Sequence, residues 1–197
     1  MCVAEWESDL VVPLIVDVTN PESVARAVAQ APDTTIVINN AGIPLREPIA
    51  TLDEGTLRRA FEINFFGPLN ITQQFAPVIA GNGGGAVVNI LSVLCWVAVA
   101  PGYSAAKAAL WQATNAFRVE LAPQNIQVVA VHMGYVDTPM TANLDVAKIS
   151  AESVATSTFD ALADGEYEVL VDDTARTVRG ALSGPLAGMY PQLQVHV

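Results

Sequence analysis

The chain has 197 residues, of which 52% are hydrophobic and 15% charged, with twenty acidic against nine basic side chains and a net charge of −11. That length suits one domain, residues 1–197, with a sizeable core, and the hydrophobic share suits a sheet covered by helices on both faces. The charge disfavours nucleic acid and anionic membranes as partners, no apolar run reaches spanning length, and Cys2 and Cys95 are too few for a disulfide framework.

Strands and helices alternate along the chain. Residues 10–17 (LVVPLIVD) read as a first strand, and Asn20-Pro21 then caps a helix to about Gln30, with Asn as N-cap and Pro at the first helical position. Residues 35–39 form a second strand that runs into the turn Asn40-Ala41-Gly42. One long helix is predicted over 53–80, stopping at Gly81. The glycine run 81–85 precedes a strand and opens no helix, so it reads as a plain turn. Strand three covers 86–91, a helix beginning at the Pro101-Gly102 turn runs to Ala122, and Ile126–His132 is strand four. A polar loop from Met133-Gly134 to Pro139 follows; Ser150 caps a helix to Ala163, strand five covers 167–171, and a short helix covers about 173–182. The pattern predicts a doubly wound, Rossmann-like α/β fold around a parallel sheet of about five strands.

The chemistry concentrates at residues 86–110. A buried parallel strand ends at Ser92, which places a hydroxyl at the strand's carboxyl end, where open α/β sheets bind ligands. Tyr103 and Lys107 then share one face of a helix, with Cβ atoms roughly 5–6 Å apart. A phenol with a pKa near ~10 is a poor proton shuttle at neutral pH. An ammonium about 5 Å away favours the phenolate by roughly 3 kcal/mol, which brings the tyrosine into range for acid/base work. An accidental Tyr-x-x-x-Lys on a surface helix is the plainer reading of the pair taken alone. In the long helix, Asn64 lies on the apolar stripe beside Phe61 and Phe65, either as a core amide bonded to a neighbouring carbonyl or as the holder of a water leading towards the lysine.

These pieces resemble the short-chain dehydrogenase/reductase family. Asn39-Asn40-Ala41-Gly42 resembles its NNAG turn, and Asn64, Ser92, Tyr103 and Lys107 match its catalytic tetrad in order. Met133-Gly134-Tyr135-Val136-Asp137-Thr138 resembles the PG-x-x-x-T segment that receives the nicotinamide, with Met133 in place of the usual proline. Asp17-Val18 resembles the acidic turn that touches the adenine. The resemblance implies an oxidoreductase interconverting a carbonyl and an alcohol with NADP or NAD. Tyr103 would be its general acid/base, Lys107 would lower the tyrosine's pKa and hold the nicotinamide ribose, Ser92 would orient the substrate carbonyl, and Asn64 would anchor a proton-relay water. The implied cofactor contacts are Asp17, Val18, Asn39, Ala41, Gly42, Lys107, Gly134, Val136 and Thr138. Val93, Leu94, Trp96, Tyr135 and Met140 would line a pocket for a small apolar carbonyl or alcohol. No second His or Cys completes a metal site with His132. The small-residue face Ala105, Ala109, Ala113 and Ala116 matches the family's dimer helix, so a homo-oligomer is expected; with no signal peptide in the sequence, the cytoplasm is the expected compartment.

The family's opening strand, TGxxxGxG turn, helix and second strand have no counterpart here, and residues 1–6 resemble the end of the helix before its third strand. An N-terminally truncated sheet and weak cofactor binding are therefore expected. The alternative function is a catalytically impaired remnant with weak or no cofactor binding, acting through protein–protein contacts. With the family's first two strands missing, residues 10–17 are expected to slide over and pair with 35–39, unless a partner chain fills the space.

Overall fold

The computed structural model describes residues 10–196. The expectation for residues 1–6, like Cys2, lies outside them. Four parallel strands make one sheet in the order β1 (Ile36–Asn39), β2 (Gly85–Ile90), β3 (Ile126–His132) and β4 (Glu168–Leu170). Helices connect them in the expected alternation: α1 (Pro21–Gln30), α2 (Glu54–Phe61), α3 (Gly67–Gly81), α4 (Pro101–Leu121), α5 (Ala151–Ala163) and α6 (Asp173–Ala181).

The strand periodicity sends successive side chains to opposite faces. Val87 and Val128 pack with Val37 against Val24 of α1, Ile71 and Phe75 of α3, and Phe117 of α4. Their neighbours Val88, Val129 and Val131 pack with Val169 against Ala161 of α5. A sheet covered on both sides explains why β2 and β3 read as nearly continuous apolar runs. The helix starts follow the capping signals. Asn20 accepts from the N–H groups of Glu22 and Ser23, and Ser150 accepts from that of Ser153. The glycine run is a turn into β2: a Cβ on Gly85 would stand 1.9 Å from the Thr35 carbonyl oxygen, and its φ of 158 lies in glycine's territory.

One expectation of the fold fails. Residues 10–17 form no strand, and β1 is the edge of a four-stranded sheet rather than the second strand of five. A groove of about 310 Å³ separates Leu14, Val16 and Val18 from Ile36, Val37 and Ile38. Leu10 is 94% exposed and Ile15 81%. The reason lies in α1. Val24 and Ala27 are sunk into the core cluster, and the backbone N–H of Asp17 donates to Ser23 Oγ at 3.0 Å, so the segment is tied to a docked helix. Sliding over would undo that burial, and Pro13 lacks the N–H a ladder needs. The long helix predicted over 53–80 forms, from Glu54 to Gly81. It is interrupted by a π-helical turn, Glu62–Phe66, between α2 and α3, and Asn64 sits in it. Such turns break the i to i−4 ladder and gather at functional sites.

Candidate functional site

Ser92, Tyr103 and Lys107 come together, as the sequence predicts, in a cleft of about 1300 Å³ at the carboxyl ends of the strands. β2 delivers Ser92, which caps a short 3-10 turn, Val93–Cys95: its Oγ accepts from the Leu94 N–H at 3.2 Å and its hydroxyl donates to the Met133 carbonyl at 3.4 Å. The first turn of α4 delivers Tyr103. It is pinned by the Tyr103 N–H to the Leu45 carbonyl at 3.4 Å and by Ser104 Oγ to the Val97 carbonyl at 3.0 Å. Gly102 permits this approach, because a Cβ there would stand 2.4 Å from Leu45 Cδ2. β3 delivers the loop containing Gly134, Tyr135, Val136 and Thr138, all of which line the cleft.

Lys107 is 4% exposed and donates to the Ile90 carbonyl at 2.7 Å, with Nζ 5.7 Å from the centre of the Tyr103 ring. Burial disfavours its ammonium and lowers its pKa to about 8. The expected lowering of Tyr103 is not found. Burial comes first among the causes and the Cys95 thiol second, and together they push the phenol up to about 12. The lysine gives a hydrogen bond to Ile90, and burial dominates the proton affinity of the phenol.

Asn64 is fully buried, and its amide exchanges two hydrogen bonds with one residue of the loop after β1: Oδ1 accepts from the Ile43 N–H at 3.0 Å and Nδ2 donates to the Ile43 carbonyl at 3.1 Å. The side chain is bonded to a backbone carbonyl and holds the NNAG turn against the π-turn. Gly42 is part of the same fit, since a Cβ there would stand 2.9 Å from Asn64 Oδ1. Asn64→Ala strands the Ile43 backbone groups and should cost roughly 1–3 kcal/mol of stability, read from urea unfolding. An unchanged midpoint would show that these two bonds contribute nothing.

Other predicted residues are placed elsewhere. The Asn39 side chain points into a buried network, donating to Thr72 Oγ1 at 3.1 Å and Asn89 Oδ1 at 2.8 Å, while Asn89 donates to Thr114 Oγ1 at 2.8 Å. Asp17 accepts from the N–H and hydroxyl of Thr19 in an exposed turn, which holds its carboxyl below the usual range. Val18 packs toward Gly67, and it and Ala41 line the small groove rather than the cleft. Val93, Leu94, Tyr135 and Met140 line the cleft, with Gly42. Trp96 does not. It is 8% exposed and stacks on His132 with ring centres 4.0 Å apart, because the turn after Ser92 rotates it inward. His132 is fully buried, with Nδ1 3.4 Å from Cys95 Sγ and Nε2 3.6 Å from Glu168 Oε1.

Sequence reasoning missed Asn89, Thr72 and Thr114, although an Asn inside the run AVVNIL was a visible signal. Among the described residues no helix is long and apolar enough to cross a membrane.

A profile of the short chain dehydrogenase family matches residues 2–148. A cis-4-hydroxycyclohexanecarboxylate dehydrogenase of Sinomonas cyclohexanicum is 35% identical over 178 residues, covering 84% of this chain and 71% of the relative. An uncharacterized short-chain type dehydrogenase/reductase of Sinorhizobium fredii is 33% identical over 165 residues, covering 78% of this chain; the chain spans 64% of that relative's length. Among solved structures, a short chain dehydrogenase from Burkholderia cenocepacia in complex with NADP superposes with a TM-score of 0.89 at 35% identity, covering 96% of this chain and 81% of the other.

Proposed function

The chain belongs to the short-chain dehydrogenase/reductase family, and from that premise we propose that it interconverts an apolar carbonyl and its alcohol by hydride transfer with NADP or NAD. The observation that carries this reading is the convergence of Ser92, Tyr103 and Lys107 with the loop Gly134–Thr138 on one largely apolar cleft. The residues fit the nicotinamide end of the cofactor. Lys107 commits one N–H to Ile90, and an ammonium has two more for ribose hydroxyls.

When bound, the nicotinamide supplies the hydride. Ser92 holds the substrate oxygen with its hydroxyl, and Tyr103 gives that oxygen a proton. Burial keeps the phenol protonated at neutral pH, so it can supply that proton. Val93, Leu94, Tyr135 and Met140 exclude water around an apolar substrate body. Lys107 holds the ribose beside the tyrosine. Asn64 acts by fixing the Ile43 loop, and any water it anchors would have to use an atom those two bonds leave free.

The partner is a small-molecule substrate, and the relative from Sinomonas, named for a hydroxycyclohexane carboxylate, makes cyclic ketones the first class to try. The chain works as one domain and as a homo-oligomer through the stripe Ala105, Ala109 and Ala113 of α4, which is half-buried in the single chain. The second reading, an impaired remnant acting through protein contacts, is favoured by one observation: Asp17, Val18 and Ala41 stand outside the cleft.

Titrating NADPH against the 197-residue chain separates the two. Among the described residues no glycine turn opens a helix to cradle a pyrophosphate. Losing several charge-assisted N–H contacts at roughly 1.5–3 kcal/mol each should leave a dissociation constant no tighter than high micromolar. Saturable binding in that range with turnover of a cyclic ketone supports the oxidoreductase; binding without turnover, or no binding at millimolar cofactor, supports the remnant. Low-micromolar affinity would mean a phosphate site elsewhere in the chain.

A further inference from the structure

We propose that Asp172, which lies outside the tetrad and its cofactor motifs, is a positioning residue that clamps the nicotinamide loop; this rests on the oxidoreductase reading. Asp172 lies between β4 and α6 and borders the cleft. Its two carboxylate oxygens serve different elements. Oδ1 accepts from the Ala175 N–H at 2.8 Å and caps α6, while Oδ2 accepts from the Gly134 N–H at 2.9 Å, across 38 residues of chain. The fit at Gly134 is close, since a Cβ there would stand 3.0 Å from Oδ2 and 3.3 Å from Thr174 Cβ.

Both ends of this bridge matter to the site. Gly134 opens the loop of Tyr135, Val136 and Thr138. That loop is held at Met133 by the Val93 N–H at 3.0 Å, and beyond Gly134 by Ile149, which bonds Tyr135 and Asp137 at 2.9 Å each. The Asp172 bond is the tie at Gly134 itself. At the other end, Ala175 is fully buried against Val93, Cys95 and Trp96, the turn that follows Ser92. One carboxylate therefore sets the cofactor loop and the substrate-side turn relative to each other. A plain helix cap needs only one oxygen, and Ser or Asn would supply it.

That difference gives the test. Asp172→Ser keeps an oxygen for the Ala175 N–H but cannot reach two donors, so α6 stays capped while Gly134 is released. Amide hydrogen exchange in the segment 134–138 is expected to speed up roughly 10- to 100-fold, the range for a hydrogen bond to a charged group, with α6 amides unchanged. NADPH affinity is expected to fall about tenfold or more. Asp172→Asn, whose single oxygen satisfies one donor while its amide N–H faces the other, should release Gly134 at least as far as the serine variant does.

Unchanged exchange at 134–138 would overturn the clamp, as would α6 loosening together with the loop. Faster exchange with unaltered NADPH affinity would reduce Asp172 to a structural residue. A wild-type chain that binds no NADPH would instead count against the oxidoreductase reading and against the cofactor half of this proposal, while the exchange comparison still decides the clamp.

Discussion

Replacing Tyr103 by phenylalanine should lower kcat at least about 100-fold, the lower end for a positioned general acid, while leaving the fold and the KM for cofactor close to wild type. The ring keeps its place, because α4 is anchored by the Tyr103 backbone N–H on Leu45 and by Ser104 on Val97, none of which uses the hydroxyl. What disappears is the phenol proton, in a cleft that Ser92 also lines, held firmly at neutral pH. Since burial holds the proton on the phenol, the wild-type rate of carbonyl reduction should stay level through neutral pH and fall only as the pH approaches the phenol's own titration. A phenylalanine variant with near-wild-type kcat would remove Tyr103 from the chemistry.

Lys107 offers the second large effect, this time on stability. The folded chain holds its ammonium with a pKa of about 8, against 10.5 for an ordinary lysine, because the group is buried. Below pH 8 folded and unfolded chains both carry the proton, and the penalty for burying it is constant. Between about pH 8 and 10.5 the unfolded chain still binds the proton that the folded chain has released, so stability rises with pH. Above that window both are neutral and the rise stops. The gain amounts to about 3 kcal/mol across the window, at 1.36 kcal/mol per pKa unit. Lys107→Met has no such titration, so urea unfolding of the two proteins should show the wild type gaining on the variant by about that amount as the pH is raised. Parallel stability curves would mean that Lys107 keeps an ordinary proton affinity in the folded chain. The variant should also lose activity, since the ribose-holding amine sits beside the acid.

Much of this arrangement was legible in the chain. Local signals placed the helix starts, because Asn20, Ser150 and the prolines act on their own backbone within a turn. The period of β2 and β3, and the four-residue spacing of Tyr103 and Lys107, placed the core and the site for the same reason. What failed depended on distant parts of the chain. Residues 10–17 have the composition of a strand, but strand formation needs a neighbour, and α1 is docked where none is in reach. Trp96 reads as a pocket residue until the 3-10 turn after Ser92 turns it onto His132. The second oxygen of Asp172 was invisible because a cap is local, whereas its bond to Gly134 joins the ends of two strands 38 residues apart in the chain. The tyrosine's proton affinity was misjudged because spacing gives proximity to the lysine but not the burial that outweighs it.

The most direct test of the central claim follows the hydride itself. The wild-type chain is incubated with NADPH deuterated at the transferable position of the nicotinamide, at millimolar concentration, with an apolar cyclic ketone, and the product alcohol is read by mass spectrometry. The cleft of Ser92, Tyr103 and Lys107 predicts an alcohol carrying one deuterium on its carbinol carbon, at a rate lowered at least about 100-fold in Tyr103→Phe. An alcohol without deuterium, or deuterated alcohol formed equally fast by Tyr103→Phe, would contradict it.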